Sequence, residues 1–521
     1  MTRYIDGTTS TETYQYDALN RLLSVTDNSG GLTGYSYDEN GNRTSQLNSN
    51  NTSSTYSYSN LNQLVNVSHY SATGALIEVF DYSLHPTGRR IGLTQSNGST
   101  STYRYDNLYR LVGETIIDAA LGDTNSEFVY DKVGNRLSQT INGVTTTYVY
   151  DTNDRLTQAL TQSELTTYSY DDNGNTTVKK TSGPQIDYLY DLRNRMVSLD
   201  ATQANNGVVA QYQYNIDGIR TSKVINGQAV NYLVDNNQAY AQVIAETNDQ
   251  GSRLKTYLYG DDLISQTDAQ NQTNTFHYDG LGSTRSLSDD SGEQSDQYNY
   301  LAFGELLNQT GTTDNNYLFA GEQYDAELDQ YHLRARYYDQ TVGRMSQMDT
   351  WQGDDDKSIS LNKYLYGNSD PVAYVDPSGH TSIMSLSTGI SRFGSLSAIA
   401  IPSYTNTLLA ASVGVGLTFF YKEITFVMNV DAEHAGSDLD EAEKQAEYDK
   451  AKDFCDNQKP ESGRNDCATL SSLIDHAEQC LDMYKAWDEK WYKGRHQEKI
   501  DGWGNRVNKL KKEHRRRCTN K

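Results

Sequence analysis

The sequence predicts a mainly β protein in which hairpins follow one another in a single strip, with a small α-helical domain at the C-terminus. Two observations carry this prediction. A tyrosine–aspartate unit recurs at a pitch of about twenty residues through the first two thirds of the chain. By contrast, roughly the last 80 residues place their apolar side chains at a helical spacing of three to four.

The tyrosine–aspartate unit is clearest in seven copies. These are YQYDALNRLL from Tyr14, YSYDENGNRT from Tyr35, YRYDNLYRLV from Tyr103, FVYDKVGNRL from Phe128, YVYDTNDRLT from Tyr148, YSYDDNGNTT from Tyr168 and YLYDLRNRMV from Tyr188. The second aromatic residue falls at Tyr130, Tyr150, Tyr170 and Tyr190, a constant step of twenty residues. Self-similarity at a fixed period of this size is typical of repeat architectures.

Each unit predicts a strand, a turn and the start of a second strand. The two aromatic side chains of Y-x-Y lie on one face, because successive side chains of a strand alternate between faces. The following D-x-x-G-N-R or D-x-x-N-R tolerates positive φ and bonds its own backbone, which favours a turn. The arginine then opens the next strand. The alternative is a disordered Ser/Thr/Asn/Gly tract, which fits the mean hydropathy of −0.75 but not 41 tyrosines at strand spacing.

These repeats resemble the YD repeats of the Rhs family, which includes bacterial Rhs polymorphic toxins, the C subunits of Tc toxin complexes and animal teneurins. The resemblance extends over roughly residues 11–380. It implies one long β-sheet strip, residues 1–316, that spirals into a hollow or partial shell around the chain's own C-terminal region. About fifteen units are few for a closed shell, and terminal repeats normally need caps. We therefore expect the C-terminal part of a larger assembly or a truncated copy, with an N-terminal shell subunit or a secretion-system spike as partner.

Charge separates the repeat region from the tail. The 521 residues carry a formal net charge of −24, nearly all of it within residues 1–380, whereas residues 485–521 are basic. An acidic shell disfavours nucleic acid, and a basic tail permits it. The first 30 residues contain no positively charged stretch followed by an apolar one, so no signal peptide is predicted.

The repeat pattern ends in a distinct segment, residues 317–380, that resembles the RHS-associated core. Its elements are R-Y-Y-D from Arg336, G-R-M from Gly343, Q-M-D-T from Gln347 and D-P-S-G-H from Asp376. In the family this segment is an intramolecular aspartyl protease that cuts just after D-P-x-G-L and frees the C-terminal cargo. The resemblance implies Asp349 and Asp376 as the aspartate pair, Arg336 as the supporting cation and His380–Thr381 as the scissile bond.

The chemistry of self-cleavage suits these residue types. Two carboxylates held close together cannot both ionise, so one stays protonated while the other activates water. A nearby arginine can hold a carboxylate by charge-assisted hydrogen bonds. The alternative is that Asp339, Asp349 and Asp376 only form turns. Two departures from the family pattern are His380 in place of leucine, which could slow or shift cleavage, and Met348 between Gln347 and Asp349.

The chain changes character after Thr381. From Phe393 to Tyr421 it has no formal charge, and the length of this run suits a bilayer span. Pro402 and the polar residues 404–407 interrupt the run, so a loosely packed segment or one aiding delivery across a membrane is favoured. Residues 381–436 are predicted to be an apolar and linker segment. Residues 437–521 are predicted to be a helical effector domain with helices within 441–455, 467–492 and 496–518.

All four cysteines, Cys455, Cys467, Cys480 and Cys518, lie in the helical domain. Two disulfides are the simplest prediction, with three possible connectivities, and they would indicate an oxidising compartment. The competing interpretation is metal binding, since His476 and Cys480 are four residues apart on one helix face. The lack of a C-x-x-C pair disfavours zinc. We expect no metal and no cofactor.

The basic end of the tail contains the most suggestive chemistry. His496 beside Glu498, together with His514, is compatible with a general base acting at a phosphodiester. Phosphate binding is predicted for three successive arginines, Arg515, Arg516 and Arg517. The alternative is a solvated helix end, where cations suit the helix dipole. Nuclease activity is therefore one candidate, and nucleic acid is a candidate partner for the tail only.

Two functions follow from the sequence. The first is an Rhs-type polymorphic toxin, secreted or delivered into target cells in interbacterial competition. In it the shell encapsulates its own C-terminal domain as cargo, releases it by self-cleavage, and an immunity protein is an expected partner. The second is a non-enzymatic cell-surface or carbohydrate-binding scaffold with an inactive tail.

Overall fold

A computed structural model of the chain describes residues 2–5, 8–204, 207–353, 358–384, 477, 480–481 and 507–512. The chain divides into two compact units, residues 1–409 and 410–521. In the second unit residues 477, 480–481 and 507–512 are helical and fall within two of the predicted helices. Among the described residues, no helix is long and apolar enough to cross a membrane. The apolar run at 393–421 lies outside them.

The first unit is built almost wholly of strands. They are β1 Thr2–Ile5, β2 Thr8–Thr11, β3 Thr13–Tyr16, β4 Leu22–Thr26, β5 Leu32–Tyr37, β6 Arg43–Leu47, β7 Ser53–Tyr58, β8 Leu64–Tyr70, β9 Leu76–Leu84, β10 Arg90–Gln95, β11 Thr100–Tyr105, β12 Leu111–Ile117, β13 Thr124–Tyr130, β14 Arg136–Ile141, β15 Val144–Tyr150, β16 Leu156–Thr161, β17 Glu164–Tyr170, β18 Thr176–Lys180, β19 Gln185–Tyr190, β20 Met196–Ala201, β21 Val208–Tyr214, β22 Arg220–Ile225, β23 Gln228–Asp235, β24 Gln242–Thr247, β25 Arg253–Tyr259, β26 Leu263–Asp268, β27 Thr273–Tyr278, β28 Thr284–Ser288, β29 Gln294–Tyr300, β30 Leu306–Thr310, β31 Gln323–Asp325, β32 Gln330–Leu333, β33 Arg336–Asp339, β34 Arg344–Met345, β35 Tyr374–Val375 and β36 Ile383–Met384. Three short 3-10 helices are Phe319–Gly321, Ser358–Leu361 and Gly367–Ser369.

Strands β3 to β30 form one antiparallel strip. Within the described part of the chain each of these strands pairs with its neighbours in sequence, from β3 with β4 to β29 with β30. Separate small sheets are β1–β2, β31–β34 and β35–β36. The mainly β fold and the strip of consecutive hairpins are thus confirmed. In the YD hairpins the register shifts at the second tyrosine, as at Tyr37 and Tyr130, and such a bulge increases local twist.

The repeated aspartate organises the turn that follows each YD strand. Asp131 Oδ1 accepts the backbone N–H groups of Val133 and Asn135 at 3.0 and 2.8 Å, and its Oδ2 accepts Asn135 Nδ2 at 2.9 Å. Where an arginine replaces that asparagine, as at Arg195, its Nε donates to Asp191 Oδ2 at 2.7 Å. The same aspartate pattern occurs at Asp17, Asp38, Asp106, Asp151 and Asp171. The repeat therefore encodes its turns through local hydrogen bonds.

The second tyrosine of the unit links each hairpin to the preceding one. Tyr130 Oη donates to the Leu111 carbonyl oxygen at 2.8 Å, and Tyr150 Oη donates to the Arg136 carbonyl oxygen at 2.7 Å. Equivalent bonds are made by Tyr37, Tyr58, Tyr105, Tyr170, Tyr214, Tyr278 and Tyr300. The Arg110 guanidinium also lies 5.0 Å from the ring centre of Tyr130. These contacts supplement a core that is poor in aliphatic side chains.

The last strands of the strip pack on its first strands, so residues about 200 apart in sequence come into contact. Leu258 and Ile264, of β25 and β26, share a buried cluster with Leu22, Val25 and Tyr35. Further along, Tyr37 Oη donates to Asp261 Oδ2 at 3.0 Å. His69 Nε2 lies 2.9 Å from the carbonyl oxygen of Tyr278, and Gln297 Nε2 donates to Glu78 Oε1 at 3.0 Å. The strip therefore curls back against itself.

The segment after β30 packs on the middle of the strip. Arg220 of β22 pairs with Asp325, both fully buried, and Lys223 Nζ donates to Asp325 Oδ1 at 3.0 Å. Near its other end, Tyr364 Oη donates to the Gly174 carbonyl oxygen at 2.9 Å. These long-range contacts position the small sheet β31–β34, from which the candidate site begins.

Candidate self-cleavage site

Three separate pieces of the 317–384 segment bring the predicted trio together. Arg336 opens β33, Asp349 lies in the loop after β34, and Asp376 follows β35 directly. All three are buried, with relative exposures of 4, 8 and 2%. The aspartate pair and its cation are therefore neighbours in space, although 40 residues separate Arg336 from Asp376 in sequence.

The Arg336 guanidinium lies between the two carboxylates. Its Nη2 is 2.9 Å from Asp349 Oδ2 and 3.2 Å from Asp376 Oδ2. Its Nη1 donates to the Lys363 carbonyl oxygen at 2.9 Å, and its Nε donates to the Gly379 carbonyl oxygen. One cation thus holds both acids and the backbone that leads into the predicted scissile bond.

Asp376 contacts the His380–Thr381 peptide itself. Its Oδ1 accepts the backbone N–H of Thr381 and that of His380, each at 3.0 Å. Ser378 Oγ donates to the same oxygen at 3.2 Å. Gly379 makes this turn possible, because its φ is +74° and a Cβ there would overlap the backbone of β32 and β33. The carboxyl group is therefore at the nitrogen that a cut would release.

Asp349 is held on the other side of the trio. Its Oδ1 accepts the Trp351 N–H at 2.9 Å and lies 2.9 Å from His380 Nδ1. The Asp349 N–H donates to the Lys363 carbonyl oxygen at 3.0 Å, and Lys363 Nζ donates to the Trp351 carbonyl oxygen at 2.8 Å. Both oxygens of Asp349 consequently face positively polarised donors.

Burial perturbs the titration of Asp376 and of Lys363. It raises the pKa of Asp376 above its ordinary value, with Asp349 adding to the rise while Arg336 opposes it. It lowers the pKa of Lys363, with Arg336 adding to the fall while Asp349 opposes it. Asp376 therefore keeps its proton to a higher pH than an exposed aspartate does. A protonated acid beside an ionised one is the arrangement that acid–base hydrolysis needs.

The turn-forming alternative fits all three acids, because Asp349 Oδ1 also accepts the Trp351 N–H and Asp376 Oδ1 also accepts the His380 N–H. Asp339 Oδ2 accepts Lys179 Nζ at 3.0 Å, and its Oδ1 accepts the Thr341 N–H at 3.0 Å. Asp339 thus closes its own turn and pairs with the strip, whereas Asp349 and Asp376 share Arg336.

Sequence reasoning missed two members of the site. Ser378, within D-P-S-G, accepts the N–H groups of His380 and Thr381 at 3.1 Å each. Its position two residues after an aspartate in a turn was a usable signal, because serine and aspartate side chains commonly bond the backbone two or more residues on. Lys363 had no such signal, since it reaches Trp351 only through folding.

The predicted effector residues fall largely outside the described residues. These are His496, Glu498, His514, Arg515, Arg516, Arg517, Cys455, Cys467 and Cys518, and His476 of the metal-binding alternative. Cys480 is described and fully buried. Within the described ranges there is no cluster of three or more His, Cys, Asp or Glu that could hold a metal ion.

Comparison with known proteins identifies the family of the repeat region. The teneurin YD-shell family matches residues 87–372, and the RHS repeat family matches residues 16–50. Two curated relatives are the tRNA3(Ser)-specific nuclease WapA of Bacillus spizizenii, 35% identical over 189 residues, and the tRNA nuclease WapA of Bacillus subtilis, 33% identical over 188 residues. Each match covers 35% of this chain and 8% of the relative.

Solved structures resemble the strip at low sequence identity. The crystal structure of TcdB2-TccC3 matches with a TM-score of 0.57 and 18% identity over 71% of this chain and 22% of that one. The Tc holotoxin pore of Photorhabdus luminescens matches with a TM-score of 0.56 and 18% identity over 73% of this chain and 22% of that one. These likenesses support the fold. With the YD-shell match extending over more than half of its residues, the chain belongs to the teneurin YD-shell family of RHS-repeat proteins.

Proposed function

We propose that this chain is part of an Rhs-type toxin whose YD strip cuts its own backbone after His380 and releases residues 381–521 as a small effector. The observation that carries the proposal is the contact of Asp376 with the Thr381 N–H while Arg336 joins Asp376 to Asp349. Burying two acids side by side is costly unless a cation offsets their charge, and Arg336 contacts both of them. Its location at the predicted scissile bond supports hydrolysis.

The proposed reaction adds one water across the His380–Thr381 bond. Asp349 acts as the base and takes a proton from the water, whose oxygen attacks the His380 carbonyl carbon. Before the cut Asp376 Oδ1 accepts the Thr381 N–H at 3.0 Å. As the carbon–nitrogen bond breaks, the Thr381 nitrogen becomes pyramidal, and Asp376 donates its proton to the lone pair of that departing nitrogen. The water oxygen remains in the new His380 carboxyl group, whose proton passes to the freed Thr381 amine. Asp349 ends protonated and Asp376 ends ionised, so the pair still holds one proton.

Cleavage in the same chain explains why no separate substrate groove is needed. The bond is already held at the acids by hydrogen bonds from His380 and Thr381, so the reaction is unimolecular. We assign the strip to residues 1–316, the protease core to 317–380, the linker to 381–436 and the effector to 437–521.

We propose a nuclease as the effector and nucleic acid as its target. Two relatives carry the name tRNA nuclease WapA, and the basic run Arg515–Arg517 suits phosphate. His496, Glu498 and His514 are the candidate catalytic groups. We also propose a disulfide-stabilised effector that acts or assembles in an oxidising compartment, and the full burial of Cys480 supports it.

The wider role we propose is delivery into competing cells. Since this chain spans 8% of the length of the WapA relatives and 22% of the matched TcdB2-TccC3 chain, further shell parts are expected partners. A secretion-system spike and an immunity protein are the other partners of this proposal. A surface-binding scaffold with an inactive tail is the competing function.

A gel and intact-mass measurement of the purified chain test self-cleavage. We expect fragments ending at His380 and starting at Thr381 in the native chain, and their loss in Asp349→Asn and in Asp376→Asn. Asp200→Asn, at an exposed strand position, is the matched control and should cleave as the native chain does. An uncut native chain, with normal folding, would instead favour the scaffold.

Expression of residues 381–521 in the bacterial cytoplasm and separately in the periplasm tests the effector. Growth arrest with shortened tRNA, lost in His496→Ala, is the expected result. Absence of toxicity in both compartments would contradict the effector proposal and leave self-cleavage standing.

A further inference from the structure

His380 stands where the family pattern has leucine, and its side chain turns onto the acid pair. Its Nδ1 lies 2.9 Å from Asp349 Oδ1, while the imidazole keeps 40% of its surface exposed against 7% for the Asp349 side chain. His380, which contributes the carbonyl group of the predicted scissile bond, is therefore also a hydrogen-bond partner of the acid that would activate water.

With this contact, both hydrogen-bond acceptor positions of Asp349 Oδ1 are occupied. A carboxylate has about four acceptor positions, two on each oxygen. Oδ1 already takes the Trp351 N–H and the His380 imidazole, each at 2.9 Å, and Oδ2 takes Arg336 at 2.9 Å. One position on Oδ2 is then left for water. The two donors on Oδ1 also occupy the positions from which that oxygen would accept a proton from water.

We infer that His380 is a positioning residue that slows self-cleavage, by occupying Asp349 Oδ1 with its Nδ1–H. The inference rests on the proposed self-cleavage and adds its rate control. Because the imidazole is partly exposed, it can leave Asp349 without disturbing the buried pair, so the contact slows the reaction rather than preventing it. The identity of residue 380 thus sets how long the cargo stays attached.

Three substitutions of His380 distinguish the effect of its ring nitrogen on the cleavage rate from the effect of its side-chain shape. His380→Leu removes the donor, His380→Phe keeps a ring without nitrogen, and His380→Asn places its amide Nδ2 where the imidazole Nδ1 was. His85→Leu removes a histidine from an exposed turn of the strip and is the matched control.

The measurement is the rate at which the full chain, made in a short pulse of cell-free translation, yields the fragment starting at Thr381. A hydrogen bond to a charged group, reduced for partial exposure, corresponds to an effect of about tenfold. We expect the Leu and Phe variants to cleave about tenfold faster than the native chain. The Asn variant should keep the native slow rate, and His85→Leu should not change it. Thermal unfolding should be alike in all four variants.

The possible results distinguish a failure of this rate control from a failure of the proposed self-cleavage. If Leu and Phe cleave no faster than the native chain, or Asn cleaves as fast as Leu, the rate control is wrong while self-cleavage stands. If neither the native chain nor the His380→Leu chain is cut, or if the His380→Leu chain still cuts when Asp376→Asn is added, the proposed acid-pair protease itself is wrong.

Discussion

Replacing Glu114 with glutamine should remove a pH dependence from the stability of the strip. Glu114 lies on β12, is 2% exposed, and its Oε2 accepts the Ala302 N–H at 2.9 Å from the turn between β29 and β30. Burial raises the pKa of Glu114 from 4.5 to about 7, against the opposing effect of that hydrogen bond. Glutamine keeps an acceptor oxygen for the same N–H but cannot titrate.

The direction and the magnitude of this pH dependence of the free energy of unfolding follow from proton linkage. The folded chain keeps the Glu114 proton up to about pH 7, whereas the unfolded chain releases it near 4.5. Between these values unfolding releases a proton, so the free energy of unfolding falls as the pH rises. The contribution is complete below 4.5 and is lost by about 7. At about 1.4 kcal/mol per pH unit, this range amounts to about 3 kcal/mol.

Urea unfolding followed by circular dichroism at pH 4.5, 6.0 and 7.5 measures the effect. Between the end points the native chain should lose about 3 kcal/mol more than Glu114→Gln does. Glu127→Gln, whose side chain is 57% exposed, controls for loss of a surface charge and should follow the native profile. Parallel profiles for the native chain and Glu114→Gln would refute the reasoning.

Three further predictions test the repeat, the buried charges and the scissile turn. Tyr130→Phe should lower the free energy of unfolding by about 1 kcal/mol, because its hydroxyl bond to the preceding hairpin is lost; an unchanged urea midpoint would contradict this role. Asp325→Asn should cost about 3–5 kcal/mol, because the buried Arg220 loses its acidic partner while Lys223 keeps Glu327 at 3.2 Å, whereas the exposed Asp217→Asn should cost little in the same assay. Gly379→Ala should abolish the cleavage fragments, since φ is +74° and a Cβ meets backbone, while Gly183→Ala, with open space around it, should cleave normally; fragments from both chains would disprove the need for this turn.

The hairpins were predictable because each repeat unit contains, within a short segment, the residues that form its strand and its turn. Each Y-x-Y-D unit contains its own strand, its turn acceptor and the tyrosine hydroxyl that reaches the preceding hairpin. The packing of β25–β30 on the first strands was not predictable. It depends on contacts such as Gln297 with Glu78, 219 residues apart, which leave no periodic trace in the sequence.

The residues of the site could be predicted from the sequence, but the contacts between them could not. The order of R-Y-Y-D, Q-M-D-T and D-P-S-G identified Arg336, Asp349 and Asp376, which the fold brings together. That a single guanidinium contacts both acids, and that His380 contacts Asp349, depends on distances no spacing encodes. The tail residues lie outside the described part and stay predictions.

The geometry also ties the proposed cut to completion of the strip. Tyr337, next to Arg336, contacts Arg220 of β22 at 3.0 Å through its hydroxyl. Asp370, ahead of Asp376, pairs with Arg89 at 3.4 Å, and the adjoining Val372 carbonyl oxygen accepts Arg90 Nη1 at 3.2 Å. Contacts with strands more than a hundred residues upstream therefore support the segments that carry the acids. If the site needs those contacts, self-cleavage would follow formation of the strip and release the tail only from a finished one.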